Sequence, residues 1–380
     1  MIDFSLTAEQ KMLRDSIRDF AVSEILPGVK KREEKGEFPA DVVRALGKIG
    51  VCGMTIPDEW GGAGADTLTY CLAIEEIARI CPSTAITVSV NNSVCCYPIW
   101  KFGTEDQKRR YLLPCAQGKI LGGFCLTEPQ AGSDAANQKT RAVIDGNHYV
   151  LTGQKAWITN AGQASIYVVM AVTDPALGSK GISAFIVEAG WPGVVVGRYE
   201  DKMGLRASTT ATLTFDGVRV PRENLLGAEG QGLHVALHSL DAGRIGVAAQ
   251  AVGIGQSALD EALAYARSRT TFGKPIHEHQ AVGFMLAEMS TEVEAGRQLT
   301  YRAATLRDQG KPFAKEASMA KLYASEMCNR VAYQAVQVHG GYGYSKEYAV
   351  ERICRDARVV TVYEGTSEIQ RMVIARHLLS

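Results

Sequence analysis

One glutamate of the chain has neighbours that suit acid–base chemistry. Glu364 precedes Gly365 and the hydroxyl residues Thr366 and Ser367. Either hydroxyl can cap a helix, and Gln370, three residues after Ser367, is typical of a helix start. The glutamate would then lie on a loop at a helix entrance, where backbone can approach a ligand. Such a residue is either an ordinary surface glutamate or a general base, whose pKa burial would raise towards neutrality.

Two further segments combine small, hydroxyl and aromatic residues. Leu126–Asp134 reads Leu-Thr-Glu-Pro-Gln-Ala-Gly-Ser-Asp, and its backbone N–H groups and hydroxyls could hold an anionic or polar ligand. An ordinary turn is the alternative. Ala156–Asn160 contains Trp157 beside hydrogen-bonding side chains, so the indole could pack on a planar cofactor or in the core.

Several familiar motifs lack the context that would give them meaning. Gly253–Ala258 resembles a dinucleotide fingerprint but lies in a helical pattern with no strand before it, which favours close helix packing. His234 and His238 are one helical turn apart, without a third ligand, so we expect no metal there. The 9 cysteines are irregularly spaced, with no Cys-x-x-Cys pair, which indicates reduced thiols.

The composition narrows the class of protein. The 380 residues carry 41 Lys plus Arg and 41 Asp plus Glu, so neither nucleic acid nor an anionic membrane is an expected partner. Apolar residues make up 46%, as in globular proteins, and no run is long enough for membrane insertion. The N-terminus has no basic region followed by an apolar stretch, so we expect a cytoplasmic location.

The elements that must position these residues change in type along the chain. Thr7 and Gln10 predict a capping box, and helical patterns follow at about 39–50, 67–80, 84–102 and 105–118. Segments typical of strands lie at 147–152, 166–173, 182–188, 194–199 and 211–220. Helical patterns return at 234–269, 278–309 and 313–339, and a last helix begins near Ser367.

This order predicts an α+β multidomain protein. We expect an N-terminal helical domain at 1–120, a middle antiparallel β-sandwich or barrel domain at 121–230, and a C-terminal helix-bundle domain at 231–380. A doubly wound sheet is disfavoured because no helical patterns lie between the strands.

Together these segments resemble the acyl-CoA dehydrogenase family, along the whole chain. The matching pieces have the family's order and spacing, and they are Leu126–Asp134, Trp157–Thr159, Asp241–Arg244, Arg269–Ile276, Gln337–Gly343 and Tyr363–Gln370. The resemblance implies the family fold, in which a helical domain, a β domain and a four-helix C-terminal domain assemble as a homotetramer.

The resemblance also implies FAD as the cofactor, acyl-CoA as the substrate and electron-transfer flavoprotein as the electron acceptor. The residues implied at FAD, partly across a subunit interface, are Leu126, Thr127, Ser133, Trp157, Thr159, Arg269, Phe272, Gln280, Gln337, Gly340, Gly341, Thr366 and Glu368. The residues implied at the substrate are Ser133, Asp241, Arg244, Tyr363 and Gly365.

The reaction implied by the resemblance is oxidation of an acyl-CoA thioester to trans-2-enoyl-CoA. Glu364 would take the α-proton as general base. The Glu364 backbone N–H and a flavin ribityl hydroxyl would bind the thioester carbonyl and stabilise the developing enolate. The β-hydride would pass to flavin N5, a step that belongs to the cofactor.

Among the family branches, the chain resembles the short-chain, butyryl-CoA branch most. The isovaleryl and long-chain branches have their base just before the Arg of the Asp-x-x-Arg segment, and that position is Gly243 here. The arginine of glutaryl-CoA dehydrogenases corresponds to Ala85, which disfavours a dicarboxylic acyl group. Some alicyclic relatives catalyse a 1,4-dehydrogenation with an Asp near position 91, whereas Asn91 together with Glu364 favours α,β-dehydrogenation.

The sequence does not decide which acyl group the substrate carries. Short-chain, branched and alicyclic groups such as cyclohexanecarboxyl all fit the motifs. Five residues would either line the acyl end or serve helix packing, and they are Asn91, Asn92, Cys95, Cys96 and Tyr97. An acyl-CoA oxidase on the same fold and a non-catalytic acyl-CoA-binding protein are the remaining alternatives.

Overall fold

The computed structural model describes residues 5–379 and begins with a helical region. Its helices are α1 (Ala8–Phe20), α2 (Leu26–Lys35), α3 (Ala40–Lys48), α4 (Thr67–Ile80), α5 (Pro82–Val90), α6 (Tyr97–Phe102), α7 (Glu105–Gln107) and α8 (Leu113–Ala116). Short π-helical segments join consecutive helices at Ala21–Ile25, Asn91–Cys96 and Lys108–Leu112.

The start of α1 has the predicted capping box. The Thr7 hydroxyl accepts from the Gln10 backbone N–H at 3.1 Å, and the Gln10 side chain accepts from the Thr7 N–H at 3.1 Å. The helix predicted over 84–102 is α5, a π-helical segment and α6 in one continuous run. Helix α2 was not among the predicted helices, and Pro27 lies in its first turn, where proline is tolerated.

The middle region forms one eight-stranded sheet. Its strands are β1 (Gly122–Cys125), β2 (Arg141–Asp145), β3 (His148–Thr159), β4 (Ile166–Val172), β5 (Ile182–Glu188), β6 (Val194–Tyr199), β7 (Thr210–Pro221) and β8 (Leu225–Leu226). The strand order is β6-β7-β3-β2-β4-β5-β8, and β1 pairs with β4. The rings of Tyr149 on β3 and Phe185 on β5 contact at 4.9 Å although these strands are not neighbours, so the sheet curves around a core.

The sheet is mostly antiparallel, with one amendment to the prediction. Strand β1 pairs with β4 in parallel, and Arg141 of β2 pairs with Val172 of β4 in parallel. The long connection from Cys125 to Ile166 lets the chain return in the same direction, as parallel pairing requires. The glycines of β1 hid this strand, because glycine is depleted in strands.

Strand β4 joins the sheet to the helices around it. Ile166, Val168 and Met170 pack against a cluster that includes residues of the N-terminal helices. The alternate residues Tyr167 and Val169 face the core of the sheet. Both faces of β4 are therefore buried along its whole length.

The C-terminal region is helical again. Its elements are α9 (Gly232–Ser268), a hairpin of β9 (Thr270–Thr271) and β10 (Lys274–Pro275), α10 (Gln280–Asp308), α11 (Ala314–His339), α12 (Ala349–Arg358) and α13 (Ser367–Leu379). A Cβ on Gly253 of α9 would lie 2.3 Å from the Glu75 backbone oxygen of α4, which confirms the interpretation of this glycine as a close helix contact. Helix α12 was not predicted, because the Gly-rich run before it indicated a loop.

The predicted order of helical, β and helical regions is confirmed. The domain limits 1–120, 121–230 and 231–380 stay a prediction about separate folding units. No helix within residues 5–379 is both long and apolar enough to cross a membrane. Within the same residues, no cluster of His, Cys, Asp and Glu side chains could hold a metal ion.

Candidate active site

Glu364 lies on the loop between α12 and α13, in an unusual backbone conformation. Its φ is +51°, and the φ of Gly365 is +89°. A positive φ is costly for a residue with a side chain and persists only where the surroundings enforce it. Trp157 and Phe272, at φ +60° and +51°, share this feature. Three of the motifs found in the sequence thus contain strained backbone, as functional sites often do.

The Glu364 side chain points its carboxyl group into the protein. The residue as a whole is half-buried, but both carboxyl oxygens are buried and have no hydrogen-bond partner among residues 5–379. Burial raises the pKa of Glu364 to about 7, against the opposing pull of the Lys321 and Arg244 cations. The carboxyl group can therefore take or give a proton near neutral pH, as expected from the sequence.

Gly243 of α9 leaves the space that this carboxyl group occupies. A Cβ at Gly243 would lie 2.2 Å from Oε2 of Glu364 and 3.5 Å from Cγ1 of Val94. The two base positions that distinguish the family branches, 243 and 364, therefore meet at one point in space. With the Glu364 carboxyl group in this position, no side chain fits at 243.

An apolar cluster, consisting of Ile86, Val90, Val94 and Leu205, lies beside Glu364. Partly buried side chains pack against this cluster, and they are Phe124, Leu240, Val359 and Tyr363. Tyr363 donates a short hydrogen bond from its hydroxyl to Oε1 of Gln250. An apolar acyl group could contact this surface while its α-carbon faces the carboxyl group.

The five residues considered for the acyl end serve packing instead. Asn91 donates to the carbonyls of Cys52 and Cys115 at 2.8 and 3.2 Å and accepts from the Gly122 N–H at 2.8 Å. Asn92 likewise donates to the carbonyls of Val51 and Val88, and Cys95 and Cys96 are core residues. The Tyr97 hydroxyl forms a hydrogen bond with Nδ1 of His238.

The residues that do face Glu364 on this helix lie four apart. Ile86, Val90 and Val94 recur at i, i+4 and i+8 and so share one helix face. Asn91 and its neighbours make hydrogen bonds and core contacts elsewhere, which supports packing, the second of the two alternatives left open for them. Their polar side chains suggested a ligand, whereas helical periodicity applied to the apolar residues would have found the right face.

Asp241 and Arg244, expected at the substrate, form an ion pair on α9. The Arg244 Nη1 lies 2.5 Å from Asp241 Oδ1 and 3.3 Å from the Ser318 hydroxyl. Arg244 is buried, and its Nε has no partner among the residues described. Burial raises the pKa of Asp241 against the pull of this arginine. The pair is well placed to orient a polar group of a ligand next to Glu364.

The loop Leu126–Asp134 is anchored to strand β3 by a buried ion pair. Nζ of Lys155 lies 2.8 Å from Glu128 Oε1 and 3.1 Å from the Leu126 carbonyl. The Ala156 N–H donates to the Thr127 carbonyl at 2.9 Å. Leu126 and Thr127 therefore lie beside the segment that carries Trp157, whereas Ser133 is exposed further along the loop.

Trp157 does not pack in the core. Its side chain is 62% exposed, at an irregularity where β3 and β7 change register. Thr159, two residues on, is half-buried and pairs with Thr210. Of the two interpretations of this tryptophan, the structure excludes core packing and leaves an indole free for a planar ligand.

A separate concavity of about 480 Å³ lies where the hairpin β9–β10 meets the end of α11. Four residues expected at FAD line it, and they are Arg269, Gln337, Gly340 and Gly341. The Arg269 guanidinium lies 5.5 Å from the Tyr342 ring, and Nε2 of His339 is buried without a partner among residues 5–379.

The other residues expected at FAD lie outside this concavity. Phe272, at the tip of the hairpin, is 95% exposed, and Gln280 is exposed at the start of α10. Thr366 and Glu368 lie instead beside Glu364 at the start of α13, where the Thr366 hydroxyl accepts from the Ile369 N–H at 3.3 Å. The predicted residues thus form three groups along the fold.

Lys321 of α11 belongs to the site but was not found from the sequence. Its Nζ is buried and donates to the Gly365 carbonyl at 2.7 Å. No motif marks it. The sequence does show that Lys321 lies among small apolar residues of α11, which are Ala317, Ala320 and Ala324. A lysine on such a buried face is unusual and could have marked the position.

Comparison with known families identifies the class of this protein. The chain matches the acyl-CoA dehydrogenase N-terminal domain at residues 7–119, the middle domain at 123–218 and the C-terminal domain at 230–379. It belongs to the acyl-CoA dehydrogenase family, and it is an FAD-dependent oxidoreductase.

Individual relatives resemble it along the whole chain. It is 50% identical over 374 residues to the mitochondrial short-chain specific acyl-CoA dehydrogenase of Bos taurus, covering 98% of this chain and 91% of that protein. The structure of butyryl-CoA dehydrogenase from Megasphaera elsdenii superposes with a TM-score of 0.98, at 46% identity and full coverage of both chains. A chain in a structure described as electron transferring flavoprotein of Acidaminococcus fermentans, with a mechanism of flavin-based electron bifurcation, has the same TM-score, 47% identity and full coverage of both chains.

The residues present fit FAD. An exposed indole on strained backbone offers a face for the flavin ring, and the carboxyl group of Glu364 has both oxygens unpartnered among the described residues. The concavity at Arg269 has a cation for phosphate and glycines whose Cβ positions are open, as at Gly340 and Gly341. Side chains suited to a flavin ring and to a pyrophosphate are thus both present in this chain.

Proposed function

We propose that this acyl-CoA dehydrogenase catalyses the α,β-dehydrogenation of a short-chain, branched or alicyclic acyl-CoA, with Glu364 as the general base. The observation that carries the proposal is a carboxyl group with both oxygens buried and unpartnered, a pKa of about 7 and an apolar cluster beside it. A structural glutamate would have its oxygens hydrogen-bonded, because unpaired buried polar groups cost stability.

Glu364 acts in two ways in this proposal. Its carboxylate takes the α-proton at Oε1 or Oε2, and its backbone N–H donates to the thioester carbonyl, where negative charge develops. The N–H groups of Val362 and Tyr363 both bond to the Val359 carbonyl, but the Glu364 N–H makes no backbone hydrogen bond among the described residues. FAD, when bound, supplies the acceptor for the β-hydride.

The remaining residues hold the two ligands. At the flavin end we propose Leu126, Thr127, Ser133, Trp157, Thr159, Thr366 and Glu368. At the pyrophosphate and adenosine end we propose Arg269, Phe272, Gln280, Gln337, Gly340 and Gly341. For the acyl-CoA we propose Ser133, Asp241, Arg244, Tyr363 and Gly365.

The surroundings of Glu364 favour an apolar acyl group. The apolar cluster offers valine, isoleucine and leucine side chains, and Ala85, the position of an arginine in glutaryl-CoA dehydrogenases, is fully buried here. The likeness to butyryl-CoA dehydrogenase supports a short chain over a long one. Branched and alicyclic groups of similar length stay within the proposal.

The partners follow from the relatives. We propose electron-transfer flavoprotein as the electron acceptor, supported by the likeness to a chain in a structure described by that name. A homotetramer is supported by large apolar side chains exposed on the C-terminal region, such as Phe272 and Tyr344 at 95% and 90%. A cytoplasmic location stays a prediction.

The decisive experiment is anaerobic bleaching of the flavin absorbance by a panel of acyl-CoAs. The panel contains butyryl-, isobutyryl-, hexanoyl-, octanoyl-, glutaryl- and cyclohexanecarboxyl-CoA, and the variant is Glu364→Gln. We expect butyryl-, isobutyryl- or cyclohexanecarboxyl-CoA to bleach the wild type fastest and the variant to lose at least about 10³-fold in rate. Glu347→Gln, at an exposed glutamate outside the site, is the matched control.

Two results would contradict the proposal. Bleaching of Glu364→Gln at the wild-type rate would show that Glu364 is not the general base. Bleaching of the wild type by glutaryl-CoA alone would show that the acyl group is not apolar. Rapid reoxidation in air, without reduction of purified electron-transfer flavoprotein, would favour an oxidase instead.

A further inference from the structure

Lys321 is a fully buried lysine to which the proposed reaction gives no role. Its ammonium donates to one group among residues 5–379, the Gly365 carbonyl at 2.7 Å. Burial lowers the pKa of Lys321 to about 8 although Glu364 nearby favours the cation, so the side chain is mostly charged at pH 7. A buried charge is costly unless it interacts with other groups, which calls for an explanation at this position.

The group that Lys321 holds is the turn that carries Glu364. Gln370 of α13 donates to the same Gly365 carbonyl at 2.9 Å and to the Glu364 carbonyl at 3.3 Å. Donors from α11 and α13 therefore meet on two consecutive peptides, both with φ in the left-handed region. These hydrogen bonds fix a backbone conformation that would otherwise relax.

Several charged and titratable groups face the Glu364 carboxyl from the surrounding elements. They are Lys321 on α11, Arg244 on α9, Tyr70 on α4 and Tyr363 on the same loop, with Glu326 and Cys328 acting on Lys321 from its own helix. Arg244 is already paired with Asp241. Lys321 has no carboxylate within 4.0 Å in the described part of the chain, so its charge acts on Glu364 without competition from an ion pair.

We infer that Lys321 is a positioning residue for the Glu364 base: it holds the Gly365 carbonyl, keeps the left-handed turn in place and supplies a cation that favours the carboxylate over the acid. The inference rests on the proposed function, because it requires Glu364 to be the base. Ser318, about one turn earlier on α11, accepts a hydrogen bond from Arg244. This helix face therefore supplies one cation of the site and contacts the other.

The test compares Lys321→Met, which removes hydrogen bond and charge, with Lys321→Gln, which keeps a donor but no charge. The holoenzymes are assayed with butyryl-CoA, or with the most active acyl-CoA of the panel, for kcat/KM against pH and for the rate of anaerobic flavin bleaching. Lys315→Met, on the same helix but at a half-buried residue outside the site, is the matched control. Flavin content and thermal unfolding are measured for each variant, so that a folding defect is recognised.

Loss of the cation should raise the pKa of Glu364. We expect the acid limb of the kcat/KM profile to move up by about one pH unit in both Lys321 variants, with KM changed less than kcat. The value of kcat/KM on the plateau above the pKa should fall by about tenfold in Lys321→Met. It should fall less in Lys321→Gln, whose amide can still donate a hydrogen bond to the Gly365 carbonyl.

An acid limb at the wild-type pH in both variants would overturn the inference. The outcome is separable from that of the proposed function. If Glu364→Gln abolishes bleaching while Lys321→Met keeps the wild-type limb, Glu364 is the base and Lys321 does not position it. If Glu364→Gln bleaches normally, the proposed function itself fails.

Discussion

The protonation of Glu364 should govern how the activity depends on pH. Its pKa is raised to about 7 by burial, and a base must be ionised to act, so kcat/KM should rise with pH below 7 and level off above it. Below the pKa the slope should be about tenfold per pH unit. A pH series with the preferred acyl-CoA checks this, and a profile already flat from pH 5 to 8 would contradict it.

Gly243 should tolerate no side chain while Glu364 is present. In Gly243→Ala the new methyl group would lie 2.2 Å from Oε2 of Glu364, so the carboxyl group must move away from its position. We expect kcat to fall by about 10²-fold while FAD stays bound, because a displacement of about 1 Å can cost this much.

The control for this substitution is another glycine of the same protein. A Cβ added at Gly190, an exposed residue outside the site, would meet no atom within 4 Å, so Gly190→Ala should leave the bleaching rate unchanged. Equal rates for Gly243→Ala and the wild type would mean that Glu364 does not need its observed position.

At the level of residues, those that belong to a local sequence motif could be predicted from the sequence. Glu364 stood out because an acidic residue, a glycine and two helix-capping hydroxyls occur together. Lys321 could not be found in the same way, because its role depends on a backbone carbonyl 44 residues later in the chain. The strain at Trp157 and Glu364 was equally out of reach, since φ follows from the packing around each residue.

At the level of elements, the buried pair of Lys155 and Glu128 should matter most for stability. Lys155→Met leaves the Glu128 carboxylate buried without its cation and should cost about 3–5 kcal/mol in the free energy of unfolding. The double variant with Glu128→Gln should cost less, because no charge stays buried. Urea unfolding measures both.

An exposed ion pair on the same sheet provides the control. Arg219 and Asp145 lie 2.6 Å apart with both side chains more than half exposed, so Arg219→Met should cost less than about 1 kcal/mol. Equal losses from Arg219→Met and Lys155→Met would contradict the role given to the buried pair.

The same pair predicts how stability depends on acid. Against the opposing effect of burial, Lys155 and backbone N–H groups lower the pKa of Glu128 to about 2, below its usual value of 4.5. The stability from this carboxylate is therefore complete above pH 4.5 and is lost as the pH falls towards 2. Removing the ionisable group with Glu128→Gln should flatten this part of the stability profile.

Long periodic elements were predictable, and short ones were not. The helix predicted at 313–339 is α11 within one residue, and the strand at 182–188 is β5. Strand β1 was missed because it is short and contains two glycines, and β2 because its pairing with β3 and β4 is not contained in any local pattern.

At the level of the whole molecule, the exposed apolar side chains of the C-terminal region predict an assembly. We expect a mass in solution of about four times 41.0 kDa. Phe272→Asp should lower both this mass and the FAD content, because the hairpin tip is exposed in the single chain and was expected near a subunit interface. Light scattering after gel filtration measures the mass, and a wild-type mass of one chain would contradict the prediction.

Helix α11 carries residues of two separate groups of candidate site residues, since Lys321 holds the turn of Glu364 and Gln337 lines the concavity near Arg269. The two residues are 16 positions apart, which corresponds to about 24 Å along a helix axis. One inserted residue would turn everything after it by about 100° and shift it by about 1.5 Å. Related enzymes should therefore vary in length in their loops but keep the residue count of this helix, so that the gene has little freedom for insertions and deletions here.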